Sequence, residues 1–307
     1  MKGKSLAGCL RGGALVPIGV LDSWGIVSAR RPDLVIGVGG YSAGAVVLVA
    51  ALRGVPTMVL EQNAVPGLTN RLLAPVVQAA AVTFDSTRTF FGAKAIVSGN
   101  PVRPEFFTTA GPERESESDE DASVASVTGV LVFGGSQGAH AINMAMVEAA
   151  PRLAAGGSSL RLVHQTGERD LEMVRAAYRQ AGLQADVEPF LYDMGRRLGQ
   201  ADVVVCRAGA TTLAEITASG KAAILIPLPG ATDDHQRKNA EVLRSAGAAE
   251  LLLQGDLSGA VLAEHIAALA GDLTRRRRMA AAARSLARPD AARVIVDRAL
   301  ALVGGSG

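Results

Sequence analysis

The segment Val130-Leu-Val-Phe-Gly134-Gly135-Ser136-Gln137-Gly138-Ala139 runs from an apolar stretch of strand length, through glycines, into a helical pattern. Such a turn leaves backbone N–H groups unpaired at the positive end of a helix dipole, and glycine lets a ligand approach the backbone closely. That chemistry suits a diphosphate. The segment equally fits a tight connection without a ligand, because it lacks the phosphate-loop lysine and the full dinucleotide spacing. A second turn of this kind, Arg207-Ala-Gly209-Ala-Thr211-Thr212-Leu-Ala-Glu215, follows the strand-like run Val203 to Cys206. Thr211 and Thr212 offer hydroxyls near a helix start, and the Glu215 carboxylate can accept two hydrogen bonds from a ribose diol. The alternative there is a capped helix with Glu215 serving the dipole. A third loop, Pro227-Leu-Pro-Gly-Ala-Thr-Asp233-Asp234-His235-Gln236-Arg-Lys-Asn239, is unusually polar and again leads into a helix.

The first third of the chain repeats the arrangement. Gly39-Gly40-Tyr41-Ser42-Ala43-Gly44, Leu60-Glu61-Gln62-Asn63-Ala-Val-Pro66-Gly67 and Asn100-Pro101-Val102-Arg103 each follow an apolar run. Glu61 alone reads as a surface acid; within a row of such turns it becomes a candidate for holding a sugar hydroxyl. Polar loops at the carboxyl ends of neighbouring parallel strands converge on one crevice, which is where open α/β sheets bind ligands.

The elements that must position these loops are legible as apolar runs: 34–38, 56–60, 80–84, 95–98, 130–133, 160–164, 202–206 and 223–226. Continuous rather than alternating apolar strands, separated by amphipathic helices, predict parallel sheets covered on both faces. The fold class is therefore α/β and doubly wound. Between residues 104 and 128 the pattern lapses, and Pro112 to Asp121 carries six acidic residues against one Arg. Such a stretch buries too little apolar surface to order itself and reads as a linker. The predicted domains are residues 1–107, a linker over 108–128, and residues 129–289. The last helix, 290–303, is a candidate for packing back on the first domain. The run Arg275 to Arg278 reads as a solvated helix face.

Composition excludes several classes. Lys plus Arg total 31 against 29 Asp plus Glu, a net charge of +2, so no global field favours a nucleic-acid partner. Cys9 and Cys206 stand at no metal or redox spacing and read as ordinary half-buried thiols of a reducing compartment. The longest apolar run, Ala43 to Leu52, is shorter than the roughly 20 residues a bilayer span needs. No secretory signal pattern opens the chain. The expectation is a cytoplasmic protein with at most peripheral membrane contact.

Taken together, Gly39 to Gly44, Leu60 to Arg71, Gly99 to Arg103, Phe133 to Ala139, Arg207 to Glu215 and Asp233 to Gln236 resemble, in order and spacing, the MurG family of glycosyltransferases. The resemblance runs from about Lys2 to Val303. It implies a GT-B fold, two Rossmann-like domains facing a cleft, and transfer of GlcNAc from UDP-GlcNAc to the muramyl 4-hydroxyl of lipid I, giving lipid II for peptidoglycan. It further implies that Asn63 and Arg103 face the donor from the first domain. Ser136 and its turn, Gly134, Gly135, Gln137 and Gly138, would hold the diphosphate. Leu191 would pair with uracil through its backbone, and Ala210, Thr211, Thr212, Leu213, Ala214 and Glu215 would line the nucleoside with Glu215 on the ribose. Gln236 would contact the transferred sugar, while Tyr41 and Glu61 are acceptor-side candidates. The family uses no cofactor and no metal for donor binding; helix N-termini would instead stabilise the departing diphosphate.

The family's opening strand and its Gly-Gly-Thr-Gly-Gly-His turn do not occur in this sequence. In sheet order 3-2-1-4-5-6 the run 34–38 corresponds to the fourth strand, so an apolar strand is expected at a sheet edge. The His of that turn is the family's candidate base, and no catalytic residue is assigned here. Leu60 stands where His is the commonest family residue; His235 and Glu61 are the ionisable groups nearest the expected cleft. Two other readings stay open: a UDP-GlcNAc-binding remnant without turnover, and another GT-B-like enzyme such as a UDP-GlcNAc 2-epimerase. Met1 to Arg31 holds Lys2, Lys4, Arg11, Arg30 and Arg31 against Asp22, interleaved with Leu10, Leu15, Val20, Leu21 and Trp24. That pattern suits attachment to the anionic cytoplasmic face of the plasma membrane; the alternative is a surface helix with Trp24 in the core.

Overall fold

The computed structural model describes residues 19–108, 127–135, 137–156 and 159–305. The chain divides into two compact units, the first comprising Met1–Asn100 with Asp290–Gly307 and the second Pro101–Pro289.

In the first unit, helix α1 covers residues 19–30. The chain then alternates β1 (Val35–Gly37), α2 (Tyr41–Leu52), β2 (Thr57–Glu61), α3 (Leu68–Leu73), β3 (Ala79–Val82), α4 (Asp85–Phe91) and β4 (Ala95–Val97). The four strands are parallel in the order β1-β2-β3-β4. The interior strands β2 and β3 are nearly all buried, as their continuous apolar sequences require. One face packs Val47, Leu73, Val77 and Phe91 over Val59 and Val82. On the other, Ile295 of the last helix, α13 (Ala291–Gly304), meets Met58, Ala79 and Ala81. Among the described residues β1 pairs with β2 alone, and Ile36 and Val38 are 40% and 62% exposed.

The second unit begins with α5 (Glu105–Thr108) and continues through β5 (Thr128–Phe133), α6 (His140–Ala155), β6 (Leu160–Gln165), α7 (Leu171–Ala181), β7 (Gln184–Glu188), α8 (Met194–Gln200), β8 (Val203–Cys206), α9 (Ala210–Ser219), β9 (Ala222–Leu225), α10 (His235–Ser245), β10 (Ala249–Leu251), α11 (Gly259–Gly271) and α12 (Leu273–Ser285). Its sheet order is β10-β9-β8-β5-β6-β7, all parallel. Counted from β5 this is 3-2-1-4-5-6, with the point of strand reversal between β5 and β8. Burial of Val130, Val132, Leu162, Val203, Val205 and Ile224 against Ile142, Met146 and Ile266 makes its core.

Four readings change. Strands β7 and β10 were not anticipated: both are sheet edges, and half-buried edge strands such as Gln184-Ala-Asp-Val-Glu188 need no continuous apolar run. The boundary falls between Asn100 and Pro101 rather than near residue 108, because α5 packs on the second unit: Phe106 is fully buried and its carbonyl accepts the Ser219 hydroxyl at 3.1 Å. The basic run on α12 is not all solvated. Arg276 is 8% exposed and donates to the Leu269 and Ala270 carbonyls that end α11, and Arg275 reaches Glu250 at 2.7 Å. Finally, Cys206 is fully buried rather than half-buried. Residues 109–126, most of the acidic segment, lie outside the described residues, as does Cys9.

Candidate donor site

The register of the second sheet pairs Phe133 with Cys206, so β5 and β8 end level with one another. Each strand then turns into a helix whose start, among the described residues, carries no side-chain cap: α6 after Ala139, α9 after Gly209. The first turns of two helices thus emerge from adjacent strands at the point of strand reversal, the place where open α/β sheets bind ligands.

The first of these turns is held by the next strand. Gln165 donates through Nε2 to the Gly135 carbonyl at 2.7 Å. Gly138, at φ +75, passes so close to Thr166 that a Cβ would sit 1.9 Å from its carbonyl oxygen, and a Cβ on Gly167, at φ +76, would sit 2.2 Å from the Gln137 oxygen. Only glycine fits at either place, for both reasons at once. Ser136, expected on the diphosphate, lies outside the described residues.

On α9, Thr211 is exposed and Thr212 half-buried, and neither caps the helix. Glu215 stands in the second turn, too far along to serve the helix N-terminus, which has no acid in its first turn. Burial pushes its carboxyl above the usual range; the Arg103 charge opposes that shift and Glu105 adds to it. Ala210 and Ala214 are half-buried, while Leu213 is 2% exposed and faces the core, so only its backbone remains for a ligand. Leu191 is likewise buried at 4%, between exposed Phe190 and Tyr192.

The third loop is strained and braced. Asp233 and Asp234 both adopt positive φ, 53° and 54°, a region that non-glycine residues seldom occupy. His235 donates from Nδ1 to the Thr232 carbonyl at 2.6 Å, and Gln236 accepts from the Leu228 N–H at 3.0 Å through Oε1, keeping its amide nitrogen for another partner. Two residues that sequence reading left without roles set the loop's height above the sheet. Buried Asn239 donates to the Ala208 carbonyl at 3.3 Å. Arg207 donates to the carbonyls of Ile226 and Pro227 and to Gln254, tying the ends of β8 and β9 together.

Arg103 belongs to the second unit, not the first as expected. It stacks 5.1 Å over the Phe106 ring and pairs with Glu105 at 3.2 Å, and its charge acts on Glu215. Phe106, anchored under α9, brings it there.

In the first unit, Glu61 is 3% exposed. Its carboxylate accepts from the N–H groups of Asn63 and Gly67 at 3.0 and 2.9 Å, and from Asn70 Nδ2 at 2.8 Å. The acid expected to hold a sugar hydroxyl thus also fixes the backbone of its own loop at Asn63 and Gly67. Asn63 is fixed by it and by Thr87, which donates to the Asn63 carbonyl at 3.0 Å. Tyr41 opens α2 directly after the two positive-φ glycines 39 and 40. A cavity of about 280 Å³ lined by Arg161, Asp186, Arg196 and Arg197 opens at the opposite, amino-terminal end of β5 and takes no part in this arrangement.

Comparison with known proteins agrees with the geometry. Residues 129–295 match the glycosyltransferase family 28 C-terminal domain and residues 10–82 its N-terminal domain. A transferase of Pelobacter propionicus is 46% identical over 98% of this chain and 83% of its own length, and one of Anaeromyxobacter sp. (strain K) 46% over 99% and 77%. The crystal structure of Acinetobacter baumannii MurG superposes with a TM-score of 0.76 at 33% identity, covering 92% of this chain and 78% of that one. A putative UDP-N-acetylglucosamine 2-epimerase from Listeria monocytogenes shares the fold, at TM-score 0.66 and 16% identity. With near-half identity over almost its whole length to proteins of that name, the chain belongs to the family of UDP-N-acetylglucosamine–N-acetylmuramyl-(pentapeptide) pyrophosphoryl-undecaprenol N-acetylglucosamine transferases, the MurG family.

Proposed function

We propose that this chain binds UDP-GlcNAc in its second unit and transfers GlcNAc to the muramyl 4-hydroxyl of lipid I, forming lipid II. The observation that carries the donor half is the pair of uncapped helix starts at the level ends of β5 and β8, with Glu215 beside one of them. The diphosphate lies against the two N-termini, the ribose diol donates to Glu215, uracil meets the backbone at Leu191, and Gln236 offers its free amide nitrogen to the sugar. The acceptor hydroxyl attacks the anomeric carbon in line with the bond to UDP. That bond breaks with its electron pair going to the diphosphate, and the hydroxyl proton passes to a base. The reaction inverts the anomeric centre. Preorganised N–H groups aimed at the leaving diphosphate lower the barrier without reorganising.

The acceptor is a lipid, and α1 supports attachment to an anionic membrane surface on the cytoplasmic side. Trp24 is 51% exposed rather than in the core, with Leu21 at 73% and Ile26 at 51%. Arg53 stacks 4.9 Å over the Trp24 ring, and Arg30 and Arg31 are exposed at the end of α1. No helix among the described residues is long and apolar enough to cross a membrane, which fits a peripheral mode; residues 1–18, the rest of the basic segment, lie outside the described residues. The test is GlcNAc transfer from UDP-GlcNAc to a lipid I analogue, with UDP and ADP affinities measured in parallel. Transfer, and a clear preference for UDP, is expected. Equal affinity for both nucleotides would reject the donor site, and UDP release without any acceptor would favour epimerase chemistry.

A further inference from the structure

A continuous run of buried polar groups crosses the second unit and ends beside the turn that the proposed function gives to the diphosphate. It starts on α7, where the Tyr178 hydroxyl lies 2.7 Å from His164 Nδ1, both residues at most 1% exposed. His164 Nε2 lies 3.1 Å from Asn143 Oδ1 on α6. Asn143 in turn donates through Nδ2 to the Thr166 carbonyl at 2.9 Å and to Asp170 Oδ2 at 2.8 Å. The same carboxylate oxygen is 2.9 Å from Nδ1 of His140, the first residue of α6.

The donor and acceptor roles along this run are forced. An amide oxygen only accepts, so His164 carries its proton on Nε2 and takes the Tyr178 hydroxyl at Nδ1. Burial pushes the His164 pKa down to about 3 against the pull of Asp170, so this imidazole is neutral. Asn143 is thereby oriented with its NH₂ toward Asp170. Burial of Asp170 disfavours its charge, but hydrogen bonds from Asn143 and His140, with the charges of His140 and Arg169, outweigh it and hold the carboxyl below the usual range. An ionised carboxylate only accepts, so His140 donates from Nδ1 and is left with Nε2 on a side chain that is 52% exposed. Among the described residues, the charged groups tied to this imidazole are Asp170 and, 3.8 Å from that carboxylate, Arg169, while the buried His164 and Tyr178 lie further along the run. The loop carrying Asp170 and the turn preceding His140 are locked together at Gly138 and Gly167.

We propose that His140 is a diphosphate-binding residue of the donor site, an imidazolium positioned by Asp170 so that its Nε2–H donates to a phosphoryl oxygen. This rests on the reading that the turn 134–139 holds the donor diphosphate. With Nδ1 committed to Asp170, a phosphoryl oxygen is met only by a protonated Nε2, so the bound form is a cation with Asp170 as its counter-ion. It stands where the positive helix end alone would otherwise face the leaving group.

The test compares the affinities of UDP and uridine at one pH by calorimetry, because only UDP reports the diphosphate. His140→Ala is expected to lower the UDP-to-uridine affinity ratio about tenfold, the size of one charge-assisted hydrogen bond. His140→Lys, which restores a cation, is expected to recover most of it, and Asp170→Asn to lose part. In ¹⁵N spectra of the wild type, the His140 ring is expected to carry protons on both nitrogens once UDP is bound. An unchanged ratio in a folded His140→Ala protein, or equal losses for UDP and uridine, would overturn the proposal by reducing His140 to a structural residue. A wild-type protein that binds uridine and UDP equally would instead overturn the donor reading, and this inference with it.

Discussion

Replacing Gly138 by Ala tests the claim that the diphosphate turn is fixed by its fit against the end of β6. Two effects add at this position. The φ of +75 lies in the left-handed region, where an L-residue with a Cβ costs about 1–2 kcal/mol. The new Cβ would also sit 1.9 Å from the Thr166 carbonyl oxygen and 2.4 Å from its carbon, both rigid backbone atoms. Relieving that overlap means shifting the turn or the strand end, a displacement of the kind that costs about 1–3 kcal/mol in packed interiors. The combined loss of about 2–5 kcal/mol should lower Tm by at least about 4 °C in a unit of this size. Because the turn moves, UDP affinity should fall much more than uridine affinity. Gly135→Ala is the control: Gly135 has φ +95 but nothing within 4 Å of a Cβ, so it carries the strain without the collision. Differential scanning calorimetry and titration calorimetry on both variants give the answer. A Gly138→Ala protein that melts with the wild type and keeps its preference for UDP over uridine would refute the reasoning, as would a Gly135→Ala protein that is the more damaged of the two.

Glu215→Gln should separate stability from binding. Its folded carboxyl is harder to ionise than the unfolded one, so Glu215 opposes folding as pH rises through the normal carboxylate value and above it. The variant should therefore be more stable than wild type at pH 7, with the gap closing below about pH 4, while UDP affinity weakens by roughly 1.5–3 kcal/mol; thermal melts across pH and calorimetry check both. Phe106→Ala removes a fully buried ring beneath α9 and Arg103, so a loss of about 3–5 kcal/mol in urea unfolding is expected, with weakened donor affinity because Arg103 loses its seat. Arg30→Glu with Arg31→Glu should reduce co-sedimentation with anionic vesicles, since each basic residue near such a surface contributes about 1 kcal/mol. Binding indifferent to lipid charge and salt would reject the electrostatic part.

What the sequence by itself determined was every strand except the edges β7 and β10, and the order of the motifs. Continuous apolar runs such as Val203 to Cys206 are committed to buried parallel strands whatever surrounds them, and glycines at strand ends mark turns, so the α/β class and the row of loops follow from local composition. The tertiary structure alone decided which polar groups remain for a ligand. Glu61 and Glu215 read alike in sequence, a carboxylate near a turn, but Glu61 faces two backbone N–H groups of its own loop and Asn70 of α3, while Glu215 is half-buried and, among the described residues, takes no such donors. Arg103 looked like a residue of the first domain because it follows the last strand there; the burial of Phe106 three residues on draws it to the second unit. The network from Tyr178 to His140 joins residues up to 38 positions apart. Hydrogen-bond partnership depends on distances of about 3 Å between atoms of separate elements, and only the packing of α6 and α7 on β6 sets those distances.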